Sequence, residues 1–265
     1  DKRFILIFNG EIFNYKNLIQ KYFKKKNINS EGDLLLNLFQ QFDEGFVEKI
    51  KGQFAISLYD VKKNILYLYR DRFGIRPLYY FRKNNRIIFS SEIKSIVNII
   101  EETPNIEKES LRNTATFWTN IGNKTAFENI KKLECGQFLK ISKQKFIKKK
   151  YFVNNFFNRH RNLNINISEL RNKIRNSILN QTQSEIGYAS YLSGGIDSSV
   201  IAYELSKISK KKLETFSVMF ENKEYDESKN QKIMSNFLGT SHNNIMIKNN
   251  DIYNNFSNAV NHAET

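Results

Sequence analysis

Cysteine occurs once, as Cys135, in a chain of 265 residues, so no intrachain disulfide can close and no neighbouring cysteine completes a zinc knuckle. That lack points to a reducing, cytoplasmic setting. Long apolar stretches are missing too. Runs such as FILIF at 4–8 and IVNII at 96–100 are core-sized and fall well short of the roughly 18 residues a membrane helix needs. The first run leads straight into NGE, without the small-residue pattern that ends a secretory leader. An initiator Met is absent from the opening Asp1-Lys2. The closing stripe Ile252, Phe256, Val260, Ala263 stops with no capping glycine, so both ends read as cuts in a longer polypeptide.

Apolar residues make up 40% and aromatics 14%, with 22 Phe and 13 Tyr, a content that excludes an intrinsically disordered chain. At about 150 residues per domain the length suggests two domains. The net charge of +15 raises the question of a nucleic-acid or anionic-membrane partner. The lysines are dispersed, however, in short runs at 24–26, 148–150 and 210–212, each where an element ends. They read as solvated ends; no RNA or DNA motif accompanies them, and neither a nucleic acid nor a membrane is expected as partner.

Periodicity divides the chain. The run 4–8 reads as a buried strand followed by Asn9-Gly10 as turn residues, then helices over 15–25 and 33–42. After residue 52 the period becomes two: 53–60, 65–70, 78–81, 86–90 and a hairpin of 136–142 with 145–152 predict antiparallel strands, hence an α+β half of layered sheets and helices. Between 153 and 166 the pattern dissolves into Asn, Arg and His, a linker with the boundary at 155–165. Beyond it helix 168–183, strand 187–192, helix 198–209, strand 214–220, helix 228–238, strand 243–247 and a last helix alternate. Such alternation predicts a doubly wound parallel α/β sheet with helices on both faces.

The strand ending at Leu192 runs into SGGIDSS, 193–199, and directly into a helix. Gly194 and Gly195 allow an anion close to the backbone, and the helix start offers unpaired N–H groups and the positive end of its dipole. Ser193, Ser198 and Ser199 add hydroxyls. A carboxylate here, Asp197, would repel a phosphate unless a cation lay between them, so Asp197 is assigned to Mg²⁺. The absence of Gly-Lys-Ser/Thr excludes a Walker loop.

SGGIDSS resembles the pyrophosphate loop of the ATP pyrophosphatase superfamily. Upstream, FNGEIFNY (8–15), GQFAISLYD (52–60), YRDRFGIRPLYY (69–80) and FSSEIKSI (89–96) resemble, in order and spacing, the class II glutamine amidotransferase domain of asparagine synthases. FSVMF (216–220), YDESK (225–229) and LGTSH (238–242) continue the resemblance. It implies an amidotransferase domain at 1–155 and an ATP-pyrophosphatase synthetase domain at 166–265. Together these would convert aspartate, ATP and glutamine to asparagine, AMP, PPi and glutamate; the alternative is a paralogue amidating another carboxylate, such as a cell-surface sugar acid or a lactam precursor.

The resemblance also implies residue roles. Asn9 and the Gly10 N–H would form an oxyanion hole, Glu11 would help hold glutamine, and Glu31, in Ser30-Glu31-Gly32-Asp33, would offer its carboxylate to the glutamine α-amino group. Leu192, Ser193, Gly194, Gly195, Asp197, Ser198, Ser199 and Val218 would bind ATP, with Asp197 on the metal. The family's N-terminal cysteine nucleophile has no counterpart here, so no catalytic residue is assigned, and Cys135 is expected to be an inert buried thiol. Arg70-Asp71 is expected as a structural charged pair. Homodimer formation is left open.

Overall fold

The computed structural model describes residues 3–84, 86–154, 166–182 and 187–264; most of the expected linker, 155–165, lies outside them. The chain divides into two compact units, Asp1–Arg159 with Ala263–Thr265, and His160–His262.

In the first unit β1 (Phe4–Ile12), β2 (Gly52–Asp60), β3 (Ile65–Arg70), β7 (Gln137–Ile141) and β8 (Phe146–Lys150) form an antiparallel sheet in the order β1-β2-β3-β7-β8. Strands β4 (Tyr79–Lys83), β5 (Arg86–Ser90) and β6 (Ile130–Lys132) form a second sheet, ordered β5-β4-β6. The two-residue period explains the layers. Phe54, Ile56 and Leu58 of β2, with Tyr67 and Tyr69 of β3, turn one face of the large sheet towards α1 (Tyr15–Tyr22) and α2 (Glu31–Phe42), where Leu34, Leu35 and Leu38 are fully buried. The alternate residues Ala55, Leu68 and Leu139 face the other way, onto Leu78, Tyr80 and Leu133 at the small sheet. The far face of that sheet is closed by Ile93 and Ile96 of α3 (Ile93–Val97). The layers therefore run helix, sheet, sheet, helix. A further helix, α4 (Lys108–Phe117), with α3 and β6, occupies the stretch between the expected strands at 86–90 and 136–142.

The second unit carries α5 (Ile167–Gln181), β9 (Ser190–Tyr191), α6 (Ile196–Ile208), β10 (Glu214–Phe220), α7 (Ser228–Leu238), β11 (Ser241–Ile247) and α8 (Asn249–Ala263), with β9, β10 and β11 parallel and adjacent in that order. Leu192, Ala202, Leu205 and Leu213 are buried with Ile178 of α5 and Met234 and Leu238 of α7. Tyr191, Phe216, Val218 and Ile245 lie exposed on the other face. The expectation of helices on both faces is corrected here: among the described residues they cover one. Right-handed crossovers between strands laid down in chain order put their helices on the same side, and a doubly wound sheet needs a reversal of strand order that these three strands lack.

Candidate functional sites

Asn9-Gly10 is not a turn. Both residues lie inside β1, paired in register with Ala55 and Phe54 of β2, because the strand continues through Ile12, past the apolar run that ends at Phe8. Gly10 sits at φ +153, and a Cβ there would stand 2.1 Å from the Gln53 carbonyl oxygen and 2.7 Å from Phe54 Cα, so this position is closed to any side chain. Asn9 is exposed, and its Nδ2 donates to Ser91 Oγ at 3.2 Å. Glu11 pairs with Gln53.

Glu31 opens α2 behind its N-cap Ser30, whose hydroxyl accepts the Asp33 N–H at 3.1 Å. The Glu31 carboxylate accepts the Ile12 N–H at 2.6 Å. Burial lifts its pKa above the ordinary glutamate value, the Ile12 bond opposes this, and the nearby Glu11 carboxylate adds to the rise. Asn9, Gly10, Glu11 and Glu31 are thus brought to one end of the β1–α2 pair, with one oxygen of Glu31 already engaged.

The Arg70-Asp71 pair proves to be two separate staples of the 71–78 loop. Arg70 donates to the carbonyls of Arg76, Gly74 and Leu133 at 2.8, 2.7 and 2.6 Å. Asp71 accepts the N–H groups of Phe54, Phe73, Ile75 and Arg76 at 3.0–3.2 Å. The expectation of a buried Cys135 is corrected: its thiol is exposed. It lies beside Gly136, whose φ of +64 and tight approach to the Phe152 carbonyl turn the chain so that the backbone is buried and the preceding side chain faces out.

The second site is the 193–199 turn. Strand β9 ends at Tyr191, Leu192 is fully buried, and Gly195 is the N-cap of α6 without any side-chain cap bond. Gly194 has φ +87, and a Cβ on it would meet Asn230 Cβ at 2.6 Å, so the turn lies directly against α7. Ser193 and Ser198 face each other, Oγ to Oγ 2.9 Å, and Ser198 Oγ also takes the Ser193 N–H at 3.2 Å. These two hydroxyls shape the turn. The donors it presents are the backbone N–H groups of the first turn of α6. Asp197 is exposed on that turn, and Val218 sits on β10 with its side chain on the open face.

Among the described residues no group of three His, Cys, Asp or Glu side chains could hold a metal by itself, and no helix is long and apolar enough to cross a membrane. Two residues escaped the sequence reading. Ser91 stood in a quoted motif without a role. Gln231, a polar residue in mid-helix, is 3% exposed and donates from Nε2 to the Val218 carbonyl at 3.0 Å, and nothing in its sequence context marks it.

Comparison with known proteins adds independent findings. The Glutamine amidotransferase domain family matches residues 1–152 and the Asparagine synthase family matches residues 169–265. The chain is 34% identical over 231 residues to Asparagine synthetase (glutamine-hydrolyzing) 1 of Bacillus subtilis, covering 86% of this chain and 36% of that protein. It is 29% identical over 252 residues to Putative asparagine synthetase (glutamine-hydrolyzing) 2 of Methanocaldococcus jannaschii, covering 93% and 49%. It is also 28% identical over 213 residues to Amidase chry2 of Gibberella zeae, covering 77% and 31%. The chain therefore spans between about a third and a half of the length of these relatives. With both halves matched in sequence order, the chain belongs to the asparagine synthase family, a glutamine amidotransferase domain followed by asparagine synthase sequence.

Proposed function

We propose that residues 1–155 and 166–265 are the glutaminase and ATP-pyrophosphatase parts of a cytoplasmic, glutamine-hydrolysing asparagine synthase. The observation that carries this reading is the glycine turn 193–199, set between a parallel strand and an uncapped helix start, in the same chain as the strand bearing Asn9, Gly10 and Glu11.

In the glutaminase part the Asn9 amide and the Gly10 N–H stabilise the oxyanion that develops when the glutamine amide is attacked, while Glu11 and the remaining oxygen of Glu31 receive the glutamine α-amino group. Hydrolysis yields glutamate and ammonia. In the synthetase part an oxygen of the aspartate β-carboxylate attacks the α-phosphorus of ATP, and the bond to the β,γ-pyrophosphate breaks. The leaving pyrophosphate is received by Gly194, Gly195 and the first N–H groups of α6, with Ser199 beside them. The backbone at Leu192, just past the end of β9, and the exposed side chain of Val218 on the neighbouring strand face the adenine side. Ammonia then displaces AMP from β-aspartyl-AMP. An exposed carboxylate at the helix start suits Mg²⁺, which commonly takes one or two carboxylates and completes its shell from phosphates and water; Asp197 would hold it, and bound there it would neutralise charge on the phosphates.

One relative bears a name other than asparagine synthetase, Amidase chry2, and this supports a second reading, in which the same two domains act on a different carboxylate. The two are separated by which acid supports ATP–pyrophosphate exchange in the complete natural polypeptide. In that polypeptide Asp197→Asn is expected to lower aspartate-dependent exchange by orders of magnitude with glutaminase activity retained. Its exposure limits any stability loss to the helix-dipole share of about 0.3–1 kcal/mol. Undiminished exchange removes Asp197 from the metal site.

A further inference from the structure

The hydrogen bonds along β10 show where the parallel ladder stops. Leu192 N donates to the Phe216 carbonyl at 2.9 Å. Two residues further along a strand the backbone faces the same neighbour again, so the Val218 carbonyl is the next acceptor on the β9 side. β9 has ended at Tyr191, and the chain departs through the glycine turn. Val218 would be left without a ladder partner beyond the end of β9. Gln231 of α7 replaces the missing strand: its Nε2 donates to Val218 O at 3.0 Å. A carbonyl can only accept, which fixes the amide orientation and turns Oε1 away. Among the described residues that oxygen is buried with no hydrogen-bond partner.

Gln231 also abuts the phosphate side. Its backbone nitrogen lies 3.0 Å from the point where a Gly194 Cβ would stand. One residue thus reaches Val218, on the strand assigned to the base, through its side chain and abuts the turn assigned to the phosphates through its backbone. A leucine of similar size would remove the unpaired Oε1 but would also take from the Val218 carbonyl the one donor described for it, so the amide holds the strand at the expense of a buried oxygen without a partner.

We propose that Gln231 is a positioning residue of the nucleotide site, holding the Val218 strand end and the Gly194 turn at the separation that the two ends of one ATP molecule require. The inference rests on the nucleotide reading of this site. The base and the phosphates of a nucleotide are covalently linked, so a site that engages both is efficient only if their spacing is set beforehand. Pyrophosphate alone engages the turn and has no base to register.

The test uses the complete natural polypeptide, titrated calorimetrically with Mg²⁺–ATP and with Mg²⁺–pyrophosphate. Gln231→Leu is expected to bind ATP about tenfold more weakly, with pyrophosphate affinity kept within about twofold, which also shows that the variant is folded. Gln231→Glu supplies a second readout. An ionised carboxylate cannot donate to Val218 O, whereas the protonated acid can, and burial against a carbonyl favours the protonated form. The Glu variant should match the Leu variant at about pH 8 and recover towards the wild type at about pH 5, each compared with wild type at the same pH. Unchanged ATP affinity in both variants, or equal losses for ATP and pyrophosphate, overturns the positioning role while leaving the nucleotide site in place. A wild-type chain that binds neither probe overturns the nucleotide reading and this inference with it.

Discussion

Glu31 and Ile12 are joined by a 2.6 Å hydrogen bond from the strand N–H to the helix carboxylate, which ties the first residue of α2 to the strand carrying Asn9, Gly10 and Glu11. The pKa of Glu31 is raised in the fold, chiefly by burial. An acid with a raised folded pKa binds its proton more tightly when folded, so its contribution to stability is present at low pH and lost as the pH rises through that raised value. Glu31→Gln keeps an acceptor for Ile12 and removes the charge. Urea midpoints measured across the acid-to-neutral range should show a smaller decline with pH in the variant and neutral-pH stability equal to or above wild type. A steeper decline contradicts the assignment.

Gly10 admits no side chain. The Cβ of Gly10→Ala would fall 2.1 Å from the Gln53 carbonyl oxygen, inside the pairing of β1 with β2. The expected loss is about 3 kcal/mol or more by urea unfolding. A loss under about 1 kcal/mol would mean that the strand relaxes freely and that the residue is a glycine for another reason.

Asp71 gathers four backbone donors from two segments of chain. Asp71→Asn replaces one acceptor oxygen by a donor that faces N–H groups, and about 2–3 kcal/mol of stability should go with it. Asp71→Ala should cost more. Thermal melts of both variants, with an unshifted melting temperature as the contrary result, decide whether this loop is stapled by the carboxylate.

Cys135 is exposed, so under native conditions a maleimide reagent should modify it to completion without changing the melting temperature. Protection until denaturant is added would restore the expectation of a buried thiol.

The sequence alone carried the element types a long way. Period-two runs predicted β3 and β5 to the residue and period-3.6 runs predicted α7, because side-chain alternation is a local property of the backbone. It failed at short elements such as α3 and β6, which hold too few residues to show a period. It failed also at Asn9-Gly10, where an Asn-Gly pair that commonly makes a turn is held extended by nine paired residues of β2.

The two candidate sites show the same division. Local pattern named their components, since a glycine turn between a strand and a helix, or an Asn-Gly-Glu segment after an apolar run, is readable along the chain. What each atom does was decided by neighbours distant in sequence: Ile12 engages Glu31 across 19 residues, Ser91 meets Asn9 across 82, and Gln231 reaches Val218 across 13. A hydrogen bond is short and directional, so whether a given carboxylate, amide or carbonyl is free or engaged depends on ångström-scale placement that packing alone sets. The one-sided covering of the parallel sheet has the same origin. The alternation of strands and helices is written in the sequence, but the face each helix covers follows from the spatial order in which the strands pair.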